Sequence, residues 1–404
     1  MVDVVRDQSW FSRIGGAIKG VIFGCILFLI AIPVLFLNEG RAVRTAKGLA
    51  EGASAVVETN SEHVDPSNEG KFVHLTGKAT TEDSLSDDLF GITFDGIRLE
   101  RHVEMYQWVE NKSTKKKKKL GGGTRRVTTY SYDQKWKNSL VNSKNFHQPE
   151  EHQNPSNMPY KQFVAQASEV SLGAFKLSNS LVDQISKPSS IKFELEQLPE
   201  SIGTIATITK DAPDGGCRLY IAGENAPAAQ SATVGDVRIW FTGTSETDVS
   251  VMSKQVGNSF EPFQTNAGPK LNMLKSEIVS AALMIEEAEA DNITLTWILR
   301  ILGIAMMCGG LAIAFRPLAV IGDVVPFIGS IVGFGTTLIS IIAGTGFAFC
   351  IISVAWLFYR PLIGVPLLVV GIGLLIWVTR VMLKQPKQLP GKTAEELPYA
   401  QVID

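Results

Sequence analysis

Residues 295–315 read LTWILRILGIAMMCGGLAIAF, residues 334–358 read FGTTLISIIAGTGFAFCIISVAWLF, and residues 362–381 read LIGVPLLVVGIGLLIWVTRV. All three lie in one nearly continuous apolar block, from Leu295 to Leu383, which is interrupted at Arg300, Arg316, Asp323 and Arg360. A helix needs about 20 apolar residues to cross the hydrocarbon core of a bilayer. The block therefore has room for three crossings and predicts a protein held in a membrane.

A further apolar stretch covers residues 15–37, with Lys19 as its one charged residue. It is longer than the apolar region of a usual signal peptide, and no small-residue cleavage site follows it. We interpret it as a retained transmembrane helix that continues out of the membrane to about Val57. Gly16, Gly20 and Gly24 share one face at a spacing that suits close helix packing in lipid, although glycine is also simply common in membrane helices.

The composition of the 404-residue chain excludes some classes of protein. The formal net charge of −2 argues against general nucleic-acid binding, which requires a basic excess. Cys217 is the one cysteine outside the apolar stretches. The polar middle of the chain therefore has no intrachain disulfide framework.

Between about residues 58 and 291, several stretches alternate apolar and polar residues with a period of two, which is typical of strands. The clearest case is residues 97–109, where apolar side chains share one face while Tyr106 and Trp108 lie on the other. Lys115–Lys119 and Gly121–Gly123 then predict a charged, flexible hairpin tip. This region predicts one α+β domain with more strand than helix.

The predicted fold is a membrane protein with four transmembrane α-helices and a large, strand-rich α+β extramembrane domain inserted between helices 1 and 2. The predicted segments are residues 1–14 (cytosolic N-terminal segment), 15–37 (transmembrane helix 1), 38–291 (extracytosolic, periplasmic or lumenal domain), 292–315 (helix 2), 316–333 (interfacial or re-entrant segment), 334–358 (helix 3), 362–381 (helix 4) and 382–404 (cytosolic tail). Basic residues near both ends of the chain favour the cytosol for both termini. Arg360, in the short turn between helices 3 and 4, runs against this orientation.

Several strings resemble those of a known family. They are residues 38–52 (NEGRAVRTAKGLAEG), 101–110 (RHVEMYQWVE), 130–132 (YSY), Trp136, 142–146 (NSKNF), 154–155 (NP), 235–238 (GDVR), 296–300 (TWILR) and 356–361 (WLFYRP). In this order they resemble the LUMA family, which comprises transmembrane protein 43 and its bacterial relatives, from about residue 15 to 380. Between Asn111 and Thr124 the family pattern is absent, so the lysine-rich tip looks local to this chain.

The resemblance implies a four-span membrane protein with a large domain between the first two spans. Animal members of the family are placed at the endoplasmic reticulum and inner nuclear membrane. They are thought to act in membrane organisation and scaffolding, and a channel-related role has been proposed. The family supplies no catalytic residues. Its motifs single out shared positions without assigned chemistry: Glu39, Arg41, Arg101, His102, Glu104, Tyr106 and Trp108.

The polar domain offers little chemistry of its own. His147 and His152 are five residues apart with Pro149 between them, so they do not share a helical face as a zinc-protease pair does. His102 and Glu104 share a strand face, but with no third ligand in the sequence a surface hydrogen bond or salt bridge is the more probable role. Lys115–Lys119 can touch anionic lipid or an acidic partner, and a solvated tip is the commoner outcome. We therefore predict no enzyme activity, no cofactor and no metal.

Charged residues in the apolar block are the membrane-embedded functional candidates: Arg300, Asp323 and Arg360. Arg300 either pairs with a carboxylate or a backbone carbonyl, or extends to the headgroups beside Trp297. We expect Arg300 and Arg360 to help hold the domain against the membrane.

The sequence thus favours a non-enzymatic membrane scaffold, with a channel or transporter component as the alternative. The expected partners are the lipid bilayer and other membrane proteins, with a possible homo-oligomer and no nucleic acid. The favoured location is a bacterial inner membrane, and the alternative is the endoplasmic reticulum and inner nuclear membrane.

Overall fold

The computed structural model describes residues 1–203, 205–209, 215–222 and 232–383. The predicted cytosolic tail, residues 382–404, lies outside the described residues except for its first two. The α-helices are α1 (Trp10–Ala55), α2 (Asn179–Val182), α3 (Glu200–Gly203), α4 (Ala281–Ala314), α5 (Arg316–Gly322), α6 (Pro326–Tyr359) and α7 (Pro361–Leu383).

Most of the regular secondary structure between α1 and α4 is β-strand. In chain order the strands are β1 (Val2–Gln8), β2 (Val57–Glu58), β3 (Phe72–Thr80), β4 (Ser84–Asp87), β5 (Ile92–Asp95), β6 (Arg98–Lys118), β7 (Thr124–Lys137), β8 (Phe163–Gln166), β9 (Ser171–Leu172), β10 (Phe175–Lys176), β11 (Ser189–Ser190), β12 (Ala206–Thr209), β13 (Arg218–Ile221), β14 (Val237–Thr244), β15 (Thr247–Val256), β16 (Ser259–Glu261), β17 (Phe263–Gln264), β18 (Lys270–Leu271) and β19 (Met273–Lys275). The strand-rich domain between the first two long helices is therefore present as predicted.

The chain divides into two compact units. The domain unit comprises residues 1–9, 41–119 and 123–297, and the helical unit comprises residues 10–40, 120–122 and 298–404. The long helices α1 and α4 each contribute residues to both units.

The larger sheet of the domain unit has eight strands, in the order β1-β7-β6-β14-β13-β12, with β8 added on β6 and β11 on β14. Its centre is the long β6–β7 hairpin, which closes through Gly121 and Gly122 at positive φ. Side chains of β6 alternate between buried and half-buried from Arg98 to Trp108. This alternation follows the period of two in the sequence, and Leu99, Val103 and Met105 join the core of this sheet.

The second sheet has seven strands, in the order β10-β9-β3-β15-β16, with β2 paired to β3 and β19 paired to β15. Its core includes Leu75, Phe175 and Val251. A third apolar core joins the end of α1, through Leu49, to the start of α4, through Met284. The ends of both long helices are therefore packed inside the domain unit, which explains why α1 continues to Ala55, close to the predicted Val57.

The N-terminal residues belong to the larger sheet. β1 pairs antiparallel with β7 over seven residues, from Val2 opposite Tyr130 to Gln8 opposite Thr124. Asp7 of β1 bonds Lys119 and Arg125 of the basic hairpin. The opposite charges of β1 and the hairpin support this pairing, which the sequence pattern of residues 1–14 does not predict.

Among the described residues, three helical stretches are long and apolar enough to cross a membrane: Trp10–Ala55, Ala281–Gly322 and Pro326–Tyr359. In α7 the apolar stretch Val369–Val381 is shorter, and the fourth predicted crossing is not confirmed. The segment predicted as interfacial or re-entrant, residues 316–333, contains α5, a short break and the first turns of α6. Pro326 starts α6 eight residues before the predicted span, because a proline at the first position of a helix leaves no hydrogen bond unmade.

Candidate functional site

A buried carboxylate lies among three helices of the helical unit. Glu39 on α1 is 1% exposed, and its two oxygens accept hydrogen bonds from Arg300 on α4, from Nε at 2.6 Å and from Nη2 at 2.7 Å. The indole N–H of Trp356 on α6 donates to the same carboxylate. A two-point bond between a guanidinium and a carboxylate is strong and fixes geometry. Of the alternatives predicted for Arg300, the structure therefore shows the pairing with a carboxylate.

The end of α6 completes this Glu39 cluster. The guanidinium of Arg300 lies 5.4 Å from the Trp356 ring centre, and that of Arg360 lies 5.9 Å from it. A cation near an aromatic face is attracted to the negative ring face. A Cβ on Gly40 would approach the Tyr359 hydroxyl to 2.6 Å, so a side chain at residue 40 would collide with α6. The cluster thus fixes where α1, α4 and α6 meet.

A second ion pair lies at the other end of the apolar part of α1. Arg13 Nη2 is 2.5 Å from the buried Asp323 carboxylate, at the end of α5, and Arg13 also donates to the Gly122 carbonyl. Beside it, the Trp10 indole N–H donates to the Val320 carbonyl at 2.8 Å. Asp323 is therefore a paired residue of the helical unit.

The spacing of the two ion pairs matches a bilayer. Arg13 and Glu39 are 26 residues apart on one helix, which is about 39 Å at 1.5 Å per residue. A bilayer is about 30 Å thick in its hydrocarbon core and about 40–45 Å with its headgroups. The two ion pairs are therefore separated by a length of helix comparable with the thickness of a bilayer.

The predicted glycine face of α1 makes one backbone-level contact. A Cβ on Gly24 would lie 2.6 Å from the Gly310 carbonyl oxygen of α4, and a Cβ on Gly310 would lie 2.7 Å from the Gly24 carbonyl oxygen. Gly20 is near the Ile313 side chain, at 3.6 Å, while Gly16 has open space around it. Close packing of α1 on α4 therefore depends on Gly24 and Gly310.

Arg41 belongs to a separate polar cluster in the domain unit. Its guanidinium donates to Asn292 Oδ1 at 2.8 Å and to Thr296 Oγ1 at 2.9 Å. The Asn292 amide in turn donates to the Ala42 carbonyl at 3.0 Å. These bonds join α1 to α4 directly after the first apolar stretch and directly before the second.

The resemblance string at residues 101–110 lies on β6, and its side chains alternate between the two faces of the sheet. On the half-buried face Glu104 bonds Arg238 at 2.6 Å and His102 bonds the Thr242 hydroxyl at 2.8 Å. Further along this face, Tyr106 packs on Trp136, with ring centres 5.0 Å apart, and Trp108 packs on His152, at 4.7 Å. The motif residues on this face thus form a continuous row of ionic and aromatic pairs.

Arg101 lies on the opposite, buried face of β6. Its guanidinium reaches the buried carboxylate of Asp87 at 2.6 Å and donates to the Lys161 carbonyl at 2.9 Å. The ring of Phe90 lies 5.0 Å from the guanidinium. Arg101 therefore ties the end of β4 to the centre of the sheet.

The sequence singles out Glu39 and Arg300 separately but not their pairing, and it singles out Asp323 without its partner Arg13. Arg300 and Asp323 were singled out as charges in apolar sequence, whereas Arg13 was counted only for orientation and Trp356 only as part of a string. Asp87 and Asn292 are not among the predicted residues. Glu39, Thr296 and Trp356 do occur in the resemblance strings, and that shared occurrence was the available signal.

Comparison with known proteins gives a consistent result. A family model described as Transmembrane protein 43 matches residues 105–361. Transmembrane protein 43 of Homo sapiens is 33% identical over 398 residues, covering 95% of this chain and 96% of the relative. The Mus musculus protein is 34% identical over 88% of each chain, and the Drosophila melanogaster homolog is 28% identical over 89% of this chain and 94% of its own. No solved structure matches the chain.

Proposed function

The chain belongs to the transmembrane protein 43 family, and from this membership we propose that it is a non-enzymatic, multi-pass membrane scaffold. In this function the strand-rich domain binds membrane proteins or lipid, and the apolar helices anchor it in the bilayer. The observation that carries the proposal is the pair of ion-paired clusters at both ends of the apolar part of α1. Such clusters fix helices in place and offer no reactive group, because each carboxylate is already bonded to an arginine.

The composition of the spans favours a scaffold over a channel. Between Lys19 and Glu39, α1 has no charged residue, and the 34 residues of α6 have none. A conducting path across lipid usually presents polar residues along one helix face. The alternative function is a channel or transporter component. It requires an oligomer, in which helices of several chains together line a conducting path.

The proposal includes a topology and a location. Residues 362–381 form a fourth crossing, the domain is extracytosolic and the tail lies in the cytosol. The 23 residues of α7 are enough for a crossing, and the basic residues of the tail favour the cytosol. The proposed membrane is a bacterial inner membrane, with the endoplasmic reticulum and inner nuclear membrane as the alternative. Fractionation of source cells tests this location.

Partner capture tests the scaffold function. The full-length chain and a variant lacking residues 58–291 are purified from native membranes after mild crosslinking, and the captured proteins and lipids are compared. We expect the full-length chain to retain a set of membrane proteins that the variant loses. Gel filtration in detergent serves as the control that the helices of the variant remain folded. Identical sets from the two proteins would contradict a scaffold role for the domain.

Flux measurement tests the alternative. The purified chain is reconstituted into liposomes loaded with a fluorescent ion indicator. A channel predicts a flux that Arg300→Ala changes, because the Glu39 cluster would then lie on the conducting path. We expect no flux above that of empty liposomes for either protein.

A further inference from the structure

A cleft of about 420 Å³ opens in the domain unit between α1, α4 and β19. Its apolar wall consists of Met273, Leu274, Met284, Ala288 and Leu295. The volume lies in the range of about 300–1,000 Å³ that is typical of small-molecule sites. Methionine-rich walls adapt to flexible apolar ligands, because the unbranched thioether side chain fits irregular shapes.

The same cleft has a charged rim. Arg41 and Lys275 contribute positive charge, and Asp291 contributes negative charge. Asn292 and Thr296 orient the Arg41 guanidinium through neutral oxygens, and Glu287 positions the Lys275 ammonium at 2.6 Å. An apolar wall beside Arg41, the Lys275–Glu287 ion pair and the Asp291 carboxylate is complementary to an acyl chain attached to a zwitterionic phosphate headgroup.

The position of the lining residues along the chain places the cleft at headgroup depth. Arg41 follows the apolar residue Leu37 by four positions, which is about 6 Å of helix. Leu295 lies in the first turn of the second apolar span, three positions after Asn292. A lipid of the surrounding bilayer can therefore enter the cleft without leaving the membrane surface.

We propose that this cleft binds one zwitterionic phospholipid, with an acyl chain against the methionine-lined wall. Its phosphate contacts Arg41 and Lys275, and its amine faces Asp291. The inference goes beyond the scaffold function and does not depend on it, because it requires only that α1 and α4 meet the bilayer where their apolar residues begin.

Photocrosslinking of the full-length chain in liposomes tests the proposal. The probe is phosphatidylethanolamine with a photoreactive acyl chain, and mass spectrometry maps the labelled peptides. We expect labelling in residues 273–295 of the native chain. Ala288→Trp fills the cleft and should reduce this labelling at least fivefold. Ala290→Trp, on the exposed side of the same helix, is the matched control and should leave the labelling unchanged.

Two further arms identify the headgroup chemistry. Diacylglycerol with the same photoreactive chain lacks the phosphate and should label residues 273–295 several-fold less than phosphatidylethanolamine. Lys275→Gln should reduce the difference between the two probes. Labelling of the apolar part of α6 reports ordinary bilayer contact and should not change in any variant. Equal labelling by both probes, or equal labelling of Ala288→Trp and the native chain, would overturn the proposal.

Discussion

At the scale of single residues, Glu39 is the side chain whose replacement should cost the helical unit most. Glu39→Gln retains the shape of the side chain but removes the negative charge that the Arg300 guanidinium binds. Removing one partner of a buried ion pair costs about 3–5 kcal/mol, because the other charge stays buried. We expect the free energy of unfolding to fall by about that amount, measured as thermal unfolding of the purified chain in detergent.

Two variants control this prediction. Glu246→Gln removes the carboxylate of an exposed pair with Lys78 and should cost at most about 1 kcal/mol. The double variant Glu39→Gln with Arg300→Met removes both charges and should recover part of the lost stability. If Glu39→Gln is as mild as Glu246→Gln, the Glu39 cluster does not stabilise the helices.

Asp7 makes the attachment of β1 depend on pH. The hydrogen bond from Arg125, followed by that from Lys119, lowers the pKa of the Asp7 carboxyl in the folded chain. A carboxyl whose folded pKa is lowered stabilises the fold above its unfolded pKa, and this contribution is lost as the pH falls through the folded pKa. We expect amide protection of residues 2–8 to be complete above about pH 5 and to decline below about pH 4.

Hydrogen exchange with mass spectrometry, corrected for the pH dependence of intrinsic exchange, measures this protection. Asp7→Asn should lower the protection at neutral pH and flatten its dependence on acid. Asp3→Asn is the matched control on the same strand, because Asp3 accepts a hydrogen bond from the neutral Thr129 hydroxyl. A native acid profile in Asp7→Asn would contradict this role.

The residue scale also shows where sequence reasoning ends. Arg300 in an apolar stretch predicts a partner, because an unpaired charge in lipid is costly. Glu39 is 261 positions away in the sequence, so no local pattern identifies it as that partner. Arg101 and Asp87 illustrate the same limit in the domain unit: alternation places Arg101 on the buried face of β6, but only the fold brings Asp87 to it.

At the scale of elements, the contact of α1 with α4 depends on two glycines. Gly24→Leu places a side chain against the backbone of Gly310, which cannot move aside, so the two helices must separate. Overpacking of this kind costs about 1–3 kcal/mol. We expect a lower midpoint of thermal unfolding for Gly24→Leu and an unchanged one for Gly16→Leu, whose position is open. Equal effects of the two substitutions would contradict the close contact.

The sequence predicts the elements in which apolar residues recur with a clear period, but it does not predict where those elements begin and end. β6 alternates as its sequence predicts, because each second side chain enters one core. The predicted third span begins at residue 334, eight residues after the start of α6, because Asp323, Pro326 and Gly329 interrupt the apolar pattern before it. Pro326 instead initiates the helix, and Gly329 allows close approach to Asp323. The same residue types both end and begin helices, so periodicity alone cannot distinguish these cases.

At the scale of the whole molecule, the basic residues and the strand pairing place residues 1–14 on different sides of the membrane. Arg6 and Arg13 favour the cytosol, while residues 38–291 are proposed to be extracytosolic. β1 nevertheless shares a sheet with β6 and β7, and a hydrogen-bonded sheet with open edges is not tolerated in lipid. Sequence reasoning missed the pairing because the partner strand begins more than 110 residues away.

A disulfide crosslink decides between these two positions. Val5 lies directly opposite Val127, and Cβ atoms in such pairs are about 4.5–5.5 Å apart, near the distance that a disulfide requires. We expect Val5→Cys with Val127→Cys to form a disulfide when native membranes are mildly oxidised, identified by mass spectrometry of the linked peptide. The control pair Val5→Cys with Ser131→Cys is displaced by four residues, about 13 Å along the strand, and should remain reduced. A linked Val5–Val127 peptide places residues 2–8 on the side of the membrane that β7 occupies. If no linked Val5–Val127 peptide forms, β1 does not pair with β7 in the membrane. The positive-inside rule then places the N-terminal segment in the cytosol, apart from the domain.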